Sequence, residues 1–363
     1  MQTQTVATPK FPIKTNSLHA ELKKRVKEYL DQHDIRSTGN YKLFSKAILL
    51  MSLFVITYVH LVFFTPPILW AVLESLFFGS LIAAIGFNVM HDGSHGSFSK
   101  YAWLNKLASS SISVLGASRF MWGMKHVTIH HTYTNIDGVD DDINNMPFMR
   151  ECSTQPWKPM HRFQSIYMFV LYGFTSLFMF FTDYIKYFKS RIYTTPLKKM
   201  EFNDHLIFWA GKLFFIGFYI VLPFMLIGWK GWLAGFFISQ FTLGLTLAFV
   251  FQLAHVVEHA EFESAGFDPK KIENEWAIHQ VKTTANFASK NKIVTWFVGG
   301  LNYQIEHHLF PRISHIHYPA ISKIVRETCE KFELHYIYFP TTRSAIASHV
   351  RFMYNMGQRP KVA

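Results

Sequence analysis

Asn302–Pro311 reads NYQIEHHLFP: a glutamine, a glutamate and two adjacent histidines set in apolar and aromatic surroundings. A lone buried imidazole is ordinarily a hydrogen-bonded core residue. These two have company. His91 and His95 stand four apart in MHDGSH, and His126, His130 and His131 follow in HVTIHHTYTN. On a helix, residues four apart share a face, whereas adjacent residues point about 100° apart. Adjacent pairs such as His130/His131 and His307/His308 are therefore expected to serve two different ions. Seven histidines in three clusters exceed the donors that one tetrahedral or octahedral ion accepts, whereas two ions can use them all. FQLAHVVEHAEF adds His255 and His259, of which His255 continues the preceding apolar helix and is the better eighth donor.

The chain around these clusters has 363 residues, 50% apolar and 17% aromatic, with 17% charged. That balance is too apolar for an ordinary soluble enzyme. Net charge is +12, with the basic residues mostly outside the apolar runs. A membrane face and acidic partners account for such a distribution, and no nucleic-acid partner is expected. Cys152 and Cys329 form no C-x-x-C pair, which implies a reduced protein whose metal ligands are not thiolates. Residues 1–42 are polar and mixed in charge, without the apolar core of a cleavable leader, and read as a cytosolic N-terminal segment. Within it LHAELKKRVKEYL, Leu18–Leu30, has helical spacing, suited either to the membrane surface or to packing on the catalytic body.

Four apolar stretches, about 43–64, 67–89, 206–228 and 231–253, reach the ~20 helical residues that cross a bilayer. The links Thr65-Pro66 and Trp229-Lys230 are so short that each pair must be a hairpin. A fifth stretch, about 163–181, is nearly long enough. If the histidine clusters share one site, an even number of crossings separates the second from the third, and the 206–253 hairpin already supplies two. The fifth stretch is therefore expected to lie in the interface or re-enter. Residues 1–46 hold nine basic residues against Lys230 alone in the far turns, which places the N-terminus and the clusters on the cytosolic side. The expected fold of residues 43–363 is all-α and membrane-integral: four transmembrane helices in two hairpins, with a cytosolic helical cap holding a dimetal site.

Imidazole suits zinc, copper and iron. Iron facing a bilayer has an evident task, the use of dioxygen on an apolar chain, because a methylene C–H offers no acidic proton to a base. HDGSH, HVTIHH and QIEHH resemble the three histidine boxes of the membrane fatty acid desaturase superfamily, and the glutamine opening the third box resembles its front-end branch. The likeness runs from about Phe44 to about Glu333 and includes HHTYTNIDGVDDDI, QVKTTANF and QIEHHLFPRI. It implies a mushroom-shaped four-span fold, a cytosolic pair of Fe ions, O2 as co-substrate, and an acyl chain in an apolar tunnel. The implied ligands are His91, His95, His126, His130, His131, His255, His307 and His308. Gln304 stands where other branches carry histidine. No H-P-G-G haem motif is present, which implies electrons from a separate ferredoxin or b-type cytochrome. The acyl carrier can be coenzyme A, acyl carrier protein or a lipid.

Asp137, Asp140, Asp141 and Asp142 either fix histidine tautomers, a role expected of Asp140 and Asp142 above all, or cap a helix and line a solvated loop. Glu306 points off the face of Gln304 and His307 and is expected to be structural, as is His279. His315 and His317 are placed to cap the site or contact a head group. Trp122, Tyr133 and Tyr303 fit packing better than a tunnel. A hydroxylase, epoxidase or acetylenase would use the same metals. A zinc hydrolase would show H-E-x-x-H or another three-ligand site with a general base, and a metal transporter would place its histidines within the spans.

Overall fold

The computed structural model describes residues 9–15, 17–264 and 272–360. Three apolar helical stretches dominate it: Tyr41–Phe64, Ile68–His95 and Phe202–His255. The last, at 54 residues, would be about 80 Å long if straight, far more than a bilayer needs. It is not straight. Gly228 leaves the helical region at φ 72° and ψ 169°, and Trp232 Nε1 donates to the carbonyl of Tyr219 at 3.0 Å. Those residues would stand about 20 Å apart on a continuous helix, so the segment is a hairpin and the apolar crossings among the described residues number four. The first hairpin turns at Thr65, with φ 43°, and folds Phe54 and Phe78 face to face at 5.2 Å.

The two hairpins touch backbone to backbone. A Cβ on Gly79 would collide with the carbonyl oxygen of Ser239, and Ser239 Oγ donates to the carbonyl of Ser75 at 3.2 Å. Outward-facing Ile48, Ile68, Leu213 and Met225 are exposed apolar residues suited to lipid contact. The stretch expected in the interface is two helices, Pro159–Gly173 and Thr175–Lys189, meeting at 75°. Each rises only about 22 Å, short of a ~30 Å hydrocarbon core.

Strands are confined, among the described residues, to three two-residue pairs, so the fold is helical as expected. Helix Leu18–Gln32 packs on the catalytic body: Leu18, Leu22 and Val26 are buried in one cluster with Ile321, Val325 and Cys329. Arg25 pairs with Glu327 at 2.6 Å at its edge. Cys152 and Cys329 are buried free thiols.

Candidate metal centre

The second span does not stop at the membrane boundary. It runs through a π-helical turn, Gly86–Met90, into the helix His91–His95. Such wide turns cluster at functional sites because they re-aim the side chains that follow. Gly93 lets this helix lie against Ala108–Ser109, where a Cβ would strike the Ser109 nitrogen at 2.6 Å. A second π-helical stretch, Gly123–His130, carries His126 and His130 and leads into His131. His255 closes the last span, and the short helix Gln304–Leu309 presents His307 and His308. Gly299, at φ 59°, starts the turn towards that helix and sits against the carbonyl of Phe87.

All eight histidines expected as ligands are buried and brought together. Their nitrogens fall into two groups, His91, His95, His126 and His307 in one and His130, His255 and His308 in the other, each with donor atoms within 4.8 Å of one another. The adjacent residues His307 and His308 divide between the groups, as helix geometry requires. His131 belongs to neither. Its ring lies between them, 4.6 Å from His95, 4.5 Å from His307 and 4.4 Å from His308. His126, His130 and Asp142 form a third, overlapping set. Gln304 is buried at the start of the helix bearing His307 and His308.

Outer partners fix the rings. Nδ1 of His130 donates to Asp140 at 3.0 Å, that of His308 to Gln280 Oε1 at 2.7 Å, and that of His255 to the carbonyl of Thr283 at 3.3 Å. With Nδ1 protonated, each Nε2 keeps its lone pair for a metal. His307 Nδ1 meets the Tyr318 hydroxyl at 3.1 Å. Burial and the neighbouring imidazoles hold His126, His131, His307 and His308 well below the ordinary histidine range, so these rings are neutral. His130 differs: burial opposes its charge, but Asp140 and Asp142 outweigh burial and raise it. Asp142 is shared with Lys125, 2.8 Å away.

The set fits metal ions. Nε2 of His95, His307 and His308 is buried without a hydrogen-bond partner, and each such orphan costs about 1–3 kcal/mol. Nε2 of His126 lies 3.1 Å from that of His91 and 3.3 Å from that of His131. Two donors bound to one ion at ~2.1 Å in a tetrahedral arrangement stand about 3.4 Å apart. His255 is grouped with His130 and His308, whereas His259, with φ 73°, lies past the helix end and is in neither group.

Several contributors carry no role that sequence alone assigns. Gln280 and Thr283 lie in QVKTTANF and Thr134 in HHTYTN, but their bonds to the imidazoles, like that of Tyr318, exist only once the chain is folded. Asn135 uses one amide for the carbonyls of His255, Glu261 and Thr283, at 3.0, 3.2 and 3.3 Å. His279 is structural, its Nε2 donating to the carbonyl of Thr134 at 2.8 Å. Glu306 accepts from Asn286 at 2.7 Å and Tyr336 at 2.8 Å. His315 and Ser314 both bond Asp92 Oδ2, at 3.0 and 2.8 Å, and so brace the first-box helix from outside. Trp122 is packed, buried in one cluster with Met90, Ile112 and Ala117; it also stacks on His126 at 4.5 Å and borders a small apolar cavity with Phe87, His91, Leu115, Met179 and Phe251.

A helical membrane body crowned by two groups of buried imidazoles defines a multi-histidine, metal-dependent membrane oxidoreductase. The chain belongs to the fatty acid desaturase family, whose pattern it matches over residues 64–340. It is 36% identical to an sn-1 linoleoyl-lipid 6-desaturase of Arthrospira platensis, across 96% of this chain and 95% of that one. An acyl-lipid (8-3)-desaturase of Physcomitrium patens is 35% identical over 93% of this chain and 71% of its own length. An sn-1 linoleoyl-lipid 6-desaturase of Synechocystis is 33% identical over 93% of this chain and 94% of the relative. The homology is to front-end desaturases, and the histidine groups are consistent with diiron-dependent desaturation of a fatty acyl chain.

Proposed function

We propose that the chain uses O2 and a pair of Fe ions to insert a double bond into an acyl chain on a membrane glycerolipid, between an existing double bond and the carboxyl end. The lipid carrier is supported by relatives named for linoleoyl-lipid and acyl-lipid. The observation that carries the reading is the convergence of two groups of buried imidazoles beside an apolar cavity.

In this reading His91, His95, His126 and His307 hold one iron and His130, His255 and His308 the other, with His131 between them. Asp142 stands at the edge of the second site, and Asp140 orients His130. Gln304 contributes through its amide oxygen or a held water. The bound metals supply the activation of dioxygen that a methylene C–H demands. The protein supplies position and dryness. Phe87, Met90, Leu115, Met179, Leu247 and Phe251 line a small apolar cavity against His91, which marks where a methylene would meet the metals and keeps that place dry. Trp122 fixes the His126 ring from one face. The lysine and arginine bias supports a cytosolic N-terminus and metal centre, and a separate ferredoxin or b-type cytochrome supplies electrons.

Metal analysis with Mössbauer spectroscopy on the purified protein tests this. Two irons per chain are expected; a single zinc would overturn it.

A further inference from the structure

At the end of the membrane body away from the histidines, all four crossings line a second cavity of about 460 Å³. That lies within the roughly 300–1,000 Å³ usual for a small-ligand site. Tyr58, Phe78, Tyr219 and Phe236 give it aromatic walls. At the hairpin turn stands Lys230, the one charged residue of the lining among the described residues, with Trp232 close behind it in the chain. Lys230 is exposed, makes no ion pair among the described residues, and has its Nζ over the Trp229 ring at 5.6 Å. About 15 Å further along the helix, the buried Gln240 lines the inner end. Its Oε1 accepts from Ser176 Oγ at 3.0 Å, and its Nε2 has no partner. Beyond it the way towards the metals is closed, by Gly79 packed on the Ser239 carbonyl and by the fully buried Ile82 and Leu243.

An apolar chamber with one cation and tryptophans at headgroup depth takes an amphiphile with an acidic head. The unpartnered N–H adds a condition. An amide donor left unpaired in hydrocarbon is costly. A saturated chain offers it nothing, whereas the π electrons of a cis double bond accept weakly. Gln240 stands at the depth of the middle of an acyl chain whose head lies at Lys230. We propose that the cavity binds one cis-unsaturated acyl chain of an anionic phospholipid, from the leaflet opposite the metal centre, with its phosphate at Lys230 and a double bond at Gln240. The site is separate from the metals and does not rest on the catalytic reading. Its occupant lies against the second and last crossings, which end in His91 and His95 and in His255, and so braces the helices that carry these histidines.

The test uses the full chain, delipidated in detergent and titrated with dioleoyl phosphatidylglycerol while native mass spectrometry counts bound lipid. Wild type should hold one tight copy. Dioleoyl phosphatidylcholine should bind about fivefold more weakly, and distearoyl phosphatidylglycerol about two- to fivefold more weakly. Lys230→Ala should erase the headgroup preference and keep the preference for the double bond; Gln240→Leu should do the reverse. Gly235 lines the cavity, and a Cβ there meets nothing nearer than Ser75 Oγ at 3.7 Å, so Gly235→Leu fills the space without a clash at Cβ. It should lose the tight copy and the rise in melting temperature that the lipid gives wild type, with KM for the acyl-lipid substrate unchanged. A tight copy retained in Gly235→Leu, or equal affinity of wild type for the three lipids, would overturn the proposal. So would a raised KM in Gly235→Leu, which would make the cavity part of the substrate path. The binding arms need no turnover, so failure of the desaturase reading leaves them intact.

Discussion

Asp140 accepts a hydrogen bond from Nδ1 of His130 at 3.0 Å, and the same oxygen takes the backbone N–H of Asn135 at 2.9 Å. One buried carboxylate thus sets both the tautomer of a metal-facing ring and the path of the chain after the second histidine box. Outer partners of this kind are worth roughly 10–100-fold in metal affinity. Asp140→Ala should therefore bring iron content towards one per chain after chelator dialysis, measured by plasma mass spectrometry. Retention of both irons would remove Asp140 from the centre.

His255 lies outside the three boxes, yet it groups with His130 and His308. His255→Ala should abolish product as completely as His308→Ala, whereas His259→Ala should leave turnover within about twofold of wild type, as expected of a surface change away from the site. Product yield per mole of folded protein measures this.

Lys212 is buried where the Phe202–His255 stretch meets the helix Thr175–Lys189, its Nζ donating to Asp183 at 2.9 Å and to the carbonyls of Gly116 and Phe180 at 2.7 and 3.1 Å. Asp183 also accepts the N–H of Ser118 at 2.7 Å. The pair anchors the loop leading to the second box. Lys212→Met leaves a buried carboxylate unpaired and should cost about 3–5 kcal/mol. Adding Asp183→Asn should recover much of that loss, as a double-mutant cycle on unfolding in detergent would read.

Burial pushes the Glu151 carboxyl up to about 7. Its folded value lies above its unfolded one, so the folded state binds more protons between about pH 4.5 and 7 and stability falls as pH rises through that window. Glu151→Gln removes this loss. Its melting temperature should exceed that of wild type at pH 8, with the difference shrinking towards pH 5.

The spans and histidine clusters were legible because hydropathy and spacing are local properties. An apolar run of the right length needs no partner to be recognised, and the division of His307 from His308 follows from helix geometry alone. The π-helical winding of Gly123–His130 was not legible, since nothing in its composition differs from an α-helix. That winding changes the angles on which the expectation for His131 rested, and the ring sits between the two groups. Gln280, Thr283 and Tyr318 were hidden for another reason: their roles exist only through contacts made after folding. Leu18–Gln32 shows the limit of amphipathic pattern, which marks an apolar face without saying whether lipid or protein covers it.

The most direct test of the central claim is gas chromatography with mass spectrometry of lipids from a host expressing the chain with a ferredoxin reductase system and fed linoleic acid, beside a His307→Ala control. The account predicts a new double bond on the carboxyl side of the existing ones, absent from the control. A hydroxylated or acetylenic product, or no new product from iron-loaded folded protein, would contradict it.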